Sequence, residues 1–244
     1  MKGVRFEFGR TLITIPNQNK VIELDASGKQ VWEKTGLNQP HGTSGLTNGH
    51  RLISSYIGRY VVEYDATGKE VWRKVGLPGG PVNVRRLENG NTLIACTGSQ
   101  KVVEIRPDGS TALEITINGR PIDVRRLDSG RTLVALQAGG RVVEVDRAGK
   151  VHWEIKGLRQ PVIAQRLDNG NTLVAELGRN RVAEWDRDGK IVWQHTDLQT
   201  PNCVERLSNG NTLIAHGRGV LEVDRQGKII WQKQMSGVGR ATRY

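Results

Sequence analysis

A chain of 244 residues with 36% hydrophobic and only 5% aromatic content excludes a fold built around a bulky aromatic core. It suits one in which small β-branched faces stack on one another. No apolar run reaches the length of a membrane span and residues 1–10 lack a signal-type hydrophobic region, so a soluble chain is expected, periplasmic or secreted only through removal of a leader.

The formal net charge of +11 would attract anionic partners through a long-range field. Lys and Arg nevertheless recur at fixed places instead of forming one run, which is the pattern of a solvated charged surface. A nucleic-acid partner therefore ranks below a small molecule or a protein segment. Cys96 and Cys203 form no CxxC pair and no disulfide scaffold is needed, so redox compartment stays open.

In chain order, Val4-Arg5-Phe6 offers a first short strand before Gly9, and turn glycines then follow at Gly49, Gly90, Gly130, Gly170 and Gly210, at intervals of 40, 41, 40, 40 and 40. A second mark, D-x-x-G-K-x-x-W, runs Asp25–Trp32, Asp65–Trp72, Asp146–Trp153, Asp186–Trp193 and Asp224–Trp231. The remaining copy is eroded to Asp108-Gly109-Ser110 with Leu113 in place of Trp.

The clearest copy, Pro161 to Trp193, holds four apolar-alternating runs: Ile163–Leu167, Thr172–Ala175, Arg181–Asp186 and Lys190–Trp193. Asn169-Gly170 between the first two predicts a type I′ hairpin. Six copies of a four-strand unit of about 40 residues predict a six-bladed all-β propeller. It would be one domain over residues 1–244, four antiparallel strands per blade, closed by both termini. Aligning Pro201 with Gly239 sets Ala241, Thr242 and Arg243 against Cys203, Val204 and Glu205, and Phe6 against Leu207.

Up-and-down connectivity puts the Asn-Gly and Asp-x-x-Gly turns on one face. The loops before each first strand and after each second strand fall on the other, around the channel mouth. Residues that recur in every blade suit packing. The Trp of each copy should wedge neighbouring blades, and Trp185 should join the core. Glu23, Glu63, Glu104, Glu144, Glu184 and Glu222, with Arg86, Arg126, Arg166 and Arg206, should pair at blade interfaces.

Function is expected where copies differ. The candidate ligand-binding residues at the mouth are His41, Asn83, Asp123, Gln137, Glu176, Asn202, His216 and Arg240, with Cys96 and Cys203 in the same set. His41, His216 and Arg240 are expected on one side, facing Asp123 and Gln137 across the axis, which favours a polar, even anionic, ligand. His50, His152 and His195 fall at hairpins or outer strands. The scattered His, Cys and Glu lack metal-motif spacing, and neither a nucleophile elbow nor a glycine-rich phosphate loop before a helix appears. No catalytic residue, metal or cofactor is assigned.

The D-x-x-G-K-x-x-W strings, above all Asp65-Ala-Thr-Gly68-Lys69-Glu-Val-Trp72, resemble the tryptophan-docking repeats of pyrroloquinoline-quinone-like (PQQ-like) propellers. The resemblance implies the blade architecture over nearly the whole chain. Quinoprotein dehydrogenases of that type have eight blades and a vicinal cysteine pair, so their cofactor is not carried over. Pro40-His41-Gly-Thr-Ser-Gly-Leu46-Thr-Asn48-Gly49 resembles one inner-strand copy of the bacterial arylsulfotransferases. That resemblance implies a nucleophilic role for His41, with His216 and Arg240 as helpers. The leading expectation is a monomeric, non-enzymatic binding scaffold with no membrane partner. Its alternatives are a His41 transferase and an engineered or truncated propeller without a selected ligand.

Overall fold

The computed structural model describes residues 9–244, which form six four-stranded antiparallel sheets arranged as the blades of a ring. The fifth blade shows the plan. Its strands Pro161–Arg166, Thr172–Glu176, Arg181–Trp185 and Ile191–His195 lie side by side in sequence order, from the channel outward. The second strand is buried along its whole length, the third in its middle, and the outer strand alternates with solvent. Apolar alternation at period two therefore places the core between adjacent blades, where the Val, Leu and Ile of the second and third strands meet. No helix among the described residues is long and apolar enough to cross a membrane.

The turn chemistry differs from the type I′ expectation. Gly170 has φ of +85° whereas Asn169 is not among the left-handed residues. The Gly170 amide donates to Leu167 O at 2.9 Å, and the Leu167 amide to Asn171 O at 2.9 Å. This is a three-residue loop, a type I turn closed by a left-handed glycine. Asn169 serves as an acceptor, its Oδ1 taking the Asn171 amide at 3.0 Å. The Asp of D-x-x-G-K acts similarly. Asp186 Oδ1 accepts the amides of Asp188 and Lys190 at 3.0 and 2.8 Å, while Gly189 takes φ of +83°.

The recurring Glu, Arg and Trp form one unit that ties each blade to the next. Arg206, on the sixth blade's inner strand, reaches Glu184 of the fifth at 2.9 Å and lies over the Trp193 ring at 5.1 Å. Arg166 pairs likewise with Glu144 at 3.2 Å and covers Trp153 at 4.2 Å. Arg86 pairs with Glu63 and covers Trp72. Arg126 pairs with Glu104 at 2.6 Å, with Leu113 standing where the indole would be. The indoles also donate across the seam, Trp72 to Pro107 O, Trp153 to Arg187 O and Trp193 to Arg225 O at 3.0–3.1 Å. Trp185, without that partner, packs against the core between blades.

The C-terminal strand Ala241–Arg243 pairs with Thr11–Ile15 and becomes the inner strand of the first blade, which continues through Lys20–Leu24 and Gln30–Lys34. The expected alignment is off by one. Arg243 lies opposite Thr11 as Arg206 lies opposite Thr212, so Arg243 matches Arg206, not Glu205. Because a one-residue slip reverses every side chain, this register turns Arg243 onto Glu222 and Trp231. Val4-Arg5-Phe6, and the match of Phe6 to Leu207, lie outside the described residues.

The second blade lacks the inner-strand arginine and has Gly45 there. A Cβ on Gly45 would sit 2.1 Å from the Tyr244 ring, so the terminal tyrosine occupies that space, its hydroxyl on Glu23. The matching charge comes from Arg51 on the next strand, fully buried, paired with Glu23 and stacked on Trp32 at 4.4 Å.

Candidate functional site

Two rings of six residues line a cavity of about 550 Å³ at one channel mouth. One ring comes from the starts of the inner strands or the residues just before them: His41, Val82, Ile122, Val162, Asn202 and Gly239. The other comes from the loops after the second strands: Pro16, Tyr56, Thr97, Gln137, Leu177 and Gly217. The expected sharing of this face by pre-strand and post-second-strand loops is what the structure has. Sequence reasoning named His41, Gln137 and Asn202 but passed over Tyr56, whose ring meets the His41 imidazole edge-on at 5.3 Å between centroids. A signal existed: Tyr56 stands where the other copies have Pro16, Thr97, Gln137, Leu177 and Gly217.

The remaining candidates sit one residue away in either strand, and alternation turns them aside. Asn83 is buried, and its Oδ1 accepts the Val124 amide of the next blade at 3.4 Å. The Asp123 carboxylate accepts the Ala164 amide at 3.2 Å in the same way, and the Cys203 thiol donates to Ala241 O at 3.1 Å. Glu176 is fully buried and its oxygens are taken by the Arg159 amide at 2.9 Å, Arg179 at 2.5 Å and Arg181 at 2.7 Å. None of these groups lines the cavity. They fasten blades or shape loops instead.

Arg240 reaches the cavity by length. Its guanidinium crosses the channel to Asp123 Oδ1 at 3.0 Å, Ile122 O at 2.7 Å and Val162 O at 3.3 Å. The strand pairing that carries Arg240 in the first blade thus bolts it to the fourth and fifth. Arg240 is thereby neutralised by a carboxylate behind the lining and has few donors left for a ligand.

His41 lies beside this bolt. Burial, with the Arg240 charge nearby, pulls its imidazole down to about 4, so the ring is neutral at pH 7 and exchanges one donor for one acceptor according to tautomer. His216 is part-buried outside the lining, its Nδ1 without a partner. Burial foremost, then Arg218 and His195, lower it as well. His41 and His216 therefore do not gather at one side of the mouth. Burial pushes the Cys96 thiol up to about 12, far from thiolate chemistry. Among the described residues no three His, Cys, Asp or Glu side chains converge as metal ligands. His50 and His152 bind Glu63 and Asp146 at 2.7 and 2.8 Å, and His195 is half-buried on its outer strand.

A six-bladed propeller of PQQ-like repeats, with a cavity of mixed lining at one channel mouth, is the class that fold and site define. The sequence profile of the family described as outer membrane protein assembly factor BamB matches residues 2–128 and 123–244. The chain belongs to that family of PQQ-like repeat propellers. No curated protein sequence matches it. Among solved structures it is similar to a protein of unknown function from Bacteroides caccae, 20% identical, TM-score 0.83, covering 96% of this chain and 98% of that one. Streptogramin B lyase is 14% identical with TM-score 0.72, over 93% and 80% of the two chains. Virginiamycin B lyase from Staphylococcus aureus is 12% identical with TM-score 0.71, over 94% and 82%. At these identities the likeness is one of fold.

Proposed function

We propose that the protein is a non-enzymatic binding module whose ligand, a small polar molecule or an extended protein segment, enters the His41 cavity. The observation that carries this is the lining itself. At positions that repeat once per blade, the side chains around this mouth differ from one blade to the next. There neutral His41, Tyr56, Gln137 and Asn202 stand beside apolar Val82, Ile122 and Val162. Neutral hydrogen-bonding groups around an apolar patch, held on rigid strands, favour recognition of an amide- or hydroxyl-bearing ligand. Arg240 is committed to Asp123, so the anionic preference expected from its charge moves to a neutral polar one. The family's description as an outer membrane protein assembly factor agrees with capture of a protein segment.

A second reading, transfer or lyase chemistry on His41, has in its favour that a neutral imidazole is a competent base or nucleophile. Against it, among the described residues no carboxylate lines the cavity to orient that ring or act as an acid. A thermal-shift screen of polar metabolites and short peptides separates the readings. Hits whose stabilisation disappears in both His41→Ala and Asn202→Ala, without turnover, are expected. Turnover of a hit or of an aryl sulfate by the wild type, lost in His41→Ala, would replace binding with catalysis. Hits indifferent to both substitutions would remove the cavity from either role.

A further inference from the structure

The opposite end of the channel presents a second arrangement, independent of the His41 cavity. Towards the hairpin face, the inner strands carry Ser44, Arg85, Arg125, Gln165, Glu205 and Thr242 at equivalent positions. Three of these clip onto the next blade. Gln165 Oε1 accepts the Arg206 amide at 2.8 Å, Glu205 Oε2 accepts the Arg243 amide at 3.1 Å, and the Thr242 hydroxyl donates to Thr43 O at 3.3 Å.

Arg85 and Arg125 do otherwise. Their side chains are only 18% and 15% exposed, and both Nε atoms are buried without a partner. Among the described residues the one carboxylate within 4 Å of either is Asp123, at 3.8 Å from each, beyond hydrogen-bond reach. Asp123 is already bonded to Arg240 and to the Ala164 amide.

Two guanidinium forks on adjacent blades are thus held together, largely out of water and without hydrogen bonds to match. Burial and the Arg85 charge bring the Arg125 guanidinium down to about 10, although Asp123 and Glu205 oppose the shift. Both forks line a cavity of about 580 Å³. Around it Arg86 and Arg126 are paired with Glu63 and Glu104, Arg147 is mostly exposed, and Glu88 and Asp128 lie in solvent. Buried charge left without hydrogen bonds, its one nearby carboxylate shared and already committed, is costly in any fold. A group that removes the cost here must be anionic, must accept from two forks at different angles, and must enter from the hairpin face.

We propose that Arg85 and Arg125 form a site for a tetrahedral dianionic oxyanion, a phosphate- or sulfate-type group, at the hairpin end of the channel. Paired arginine forks match such oxygens bidentately, whereas a planar carboxylate fills one fork and leaves the other. The cavity is large enough for the group to arrive free or as the monoester of a small molecule.

The test uses the full chain at constant ionic strength, with inorganic phosphate, inorganic sulfate and phenyl phosphate as probes and chloride as the reference. Calorimetry and thermal shift are read on the wild type, Arg85→Gln, Arg125→Gln and the charge-matched control Arg218→Gln. Gln is chosen because Gln165 already occupies this strand position. The expected result is saturable binding of at least one probe, weakened at least tenfold in Arg85→Gln and in Arg125→Gln and unaltered in Arg218→Gln. In chloride alone Arg125→Gln should melt no lower than the wild type, because it removes a buried charge that has no hydrogen bond. Tighter binding of phenyl phosphate than of phosphate assigns a monoester, and equal binding assigns the free anion. No probe-specific binding in the wild type, or binding retained in both site variants, overturns the proposal. Should one variant fail to fold, Arg125→Lys, which keeps charge and loses the fork, replaces it and is expected to weaken binding tenfold as well.

Discussion

Trp153 and Lys150 stand three residues apart and differ in what they touch. The Trp153 indole donates to Arg187 O across the seam at 3.1 Å and lies between Arg166 and Arg187 at 4.2 and 5.0 Å. Its ring is partly, not fully, buried, so Trp153→Ala is expected to cost about 2–3 kcal/mol, less than a fully buried aromatic. The Lys150 side chain is exposed and only its backbone is used, its amide donating to Asp146 Oδ1 and its carbonyl accepting the Asp146 amide. Lys150→Ala should remain within about 0.5 kcal/mol. Urea unfolding midpoints decide it: equal losses in both variants would mean that the indole does not hold the seam. These two roles were legible in the sequence, because a residue that returns in blade after blade does a job every blade has.

At the scale of an element, the strand Ala241–Arg243 closes the ring. With its flanks it supplies the inner strand of the first blade, the Arg243–Glu222 pair, the Arg240–Asp123 bolt and the Tyr244 ring beside Gly45. Removing residues 239–244 should lower the melting temperature and leave Thr11–Ile15 as an unpaired edge among the described residues. Concentration-dependent self-association, measured by light scattering after size exclusion, is expected. An unchanged melting temperature and a monomeric truncated chain would show that the closing strand contributes nothing. That a terminal strand closes the ring was readable from the missing repeat segment. Its register was not: alignment by a Gly at the Pro position misplaced Arg243 by one residue, and only pairing with Thr11 corrects it.

For the molecule as a whole, acid should act in two stages. Burial keeps His41, His195 and His216 below the ordinary histidine range. In the unfolded chain they take up protons below about pH 6.5, so stability is lost as pH falls from there, for His41 until about 4. Glu184 and Glu222 follow at lower pH. Burial raises each, but hydrogen bonds from Asn171 and Asn169 to Glu184, and from Asn211 and Arg243 to Glu222, outweigh it and hold both carboxyls low. Their contribution is whole above about pH 4.3 and disappears as pH falls through the lowered folded values. Denaturant unfolding from pH 7 to 3 should show both stages, and His41→Gln should flatten the upper one. A His41 ring signal titrating near 6.5 by NMR would contradict its burial.

Spacing alone determined six blades, the strand count of each and the Glu–Arg–Trp seams, because these depend on local turn chemistry and on a period shared by every copy. Spacing placed the mouth but could not sort its residues. Asn83 carries the same amide chemistry as Asn202 and Gln137, and one step along a twisted strand decides whether such a group faces a cavity or a neighbouring blade. Asp123 and Arg240 lie 117 residues apart and on different blades. Only closure of the ring brings them together, turning two candidate ligand contacts into a bond with each other. Packing of the third blade against the fourth leaves Arg85 and Arg125 side by side without a matching hydrogen bond, a property of neither residue until the blades are in place.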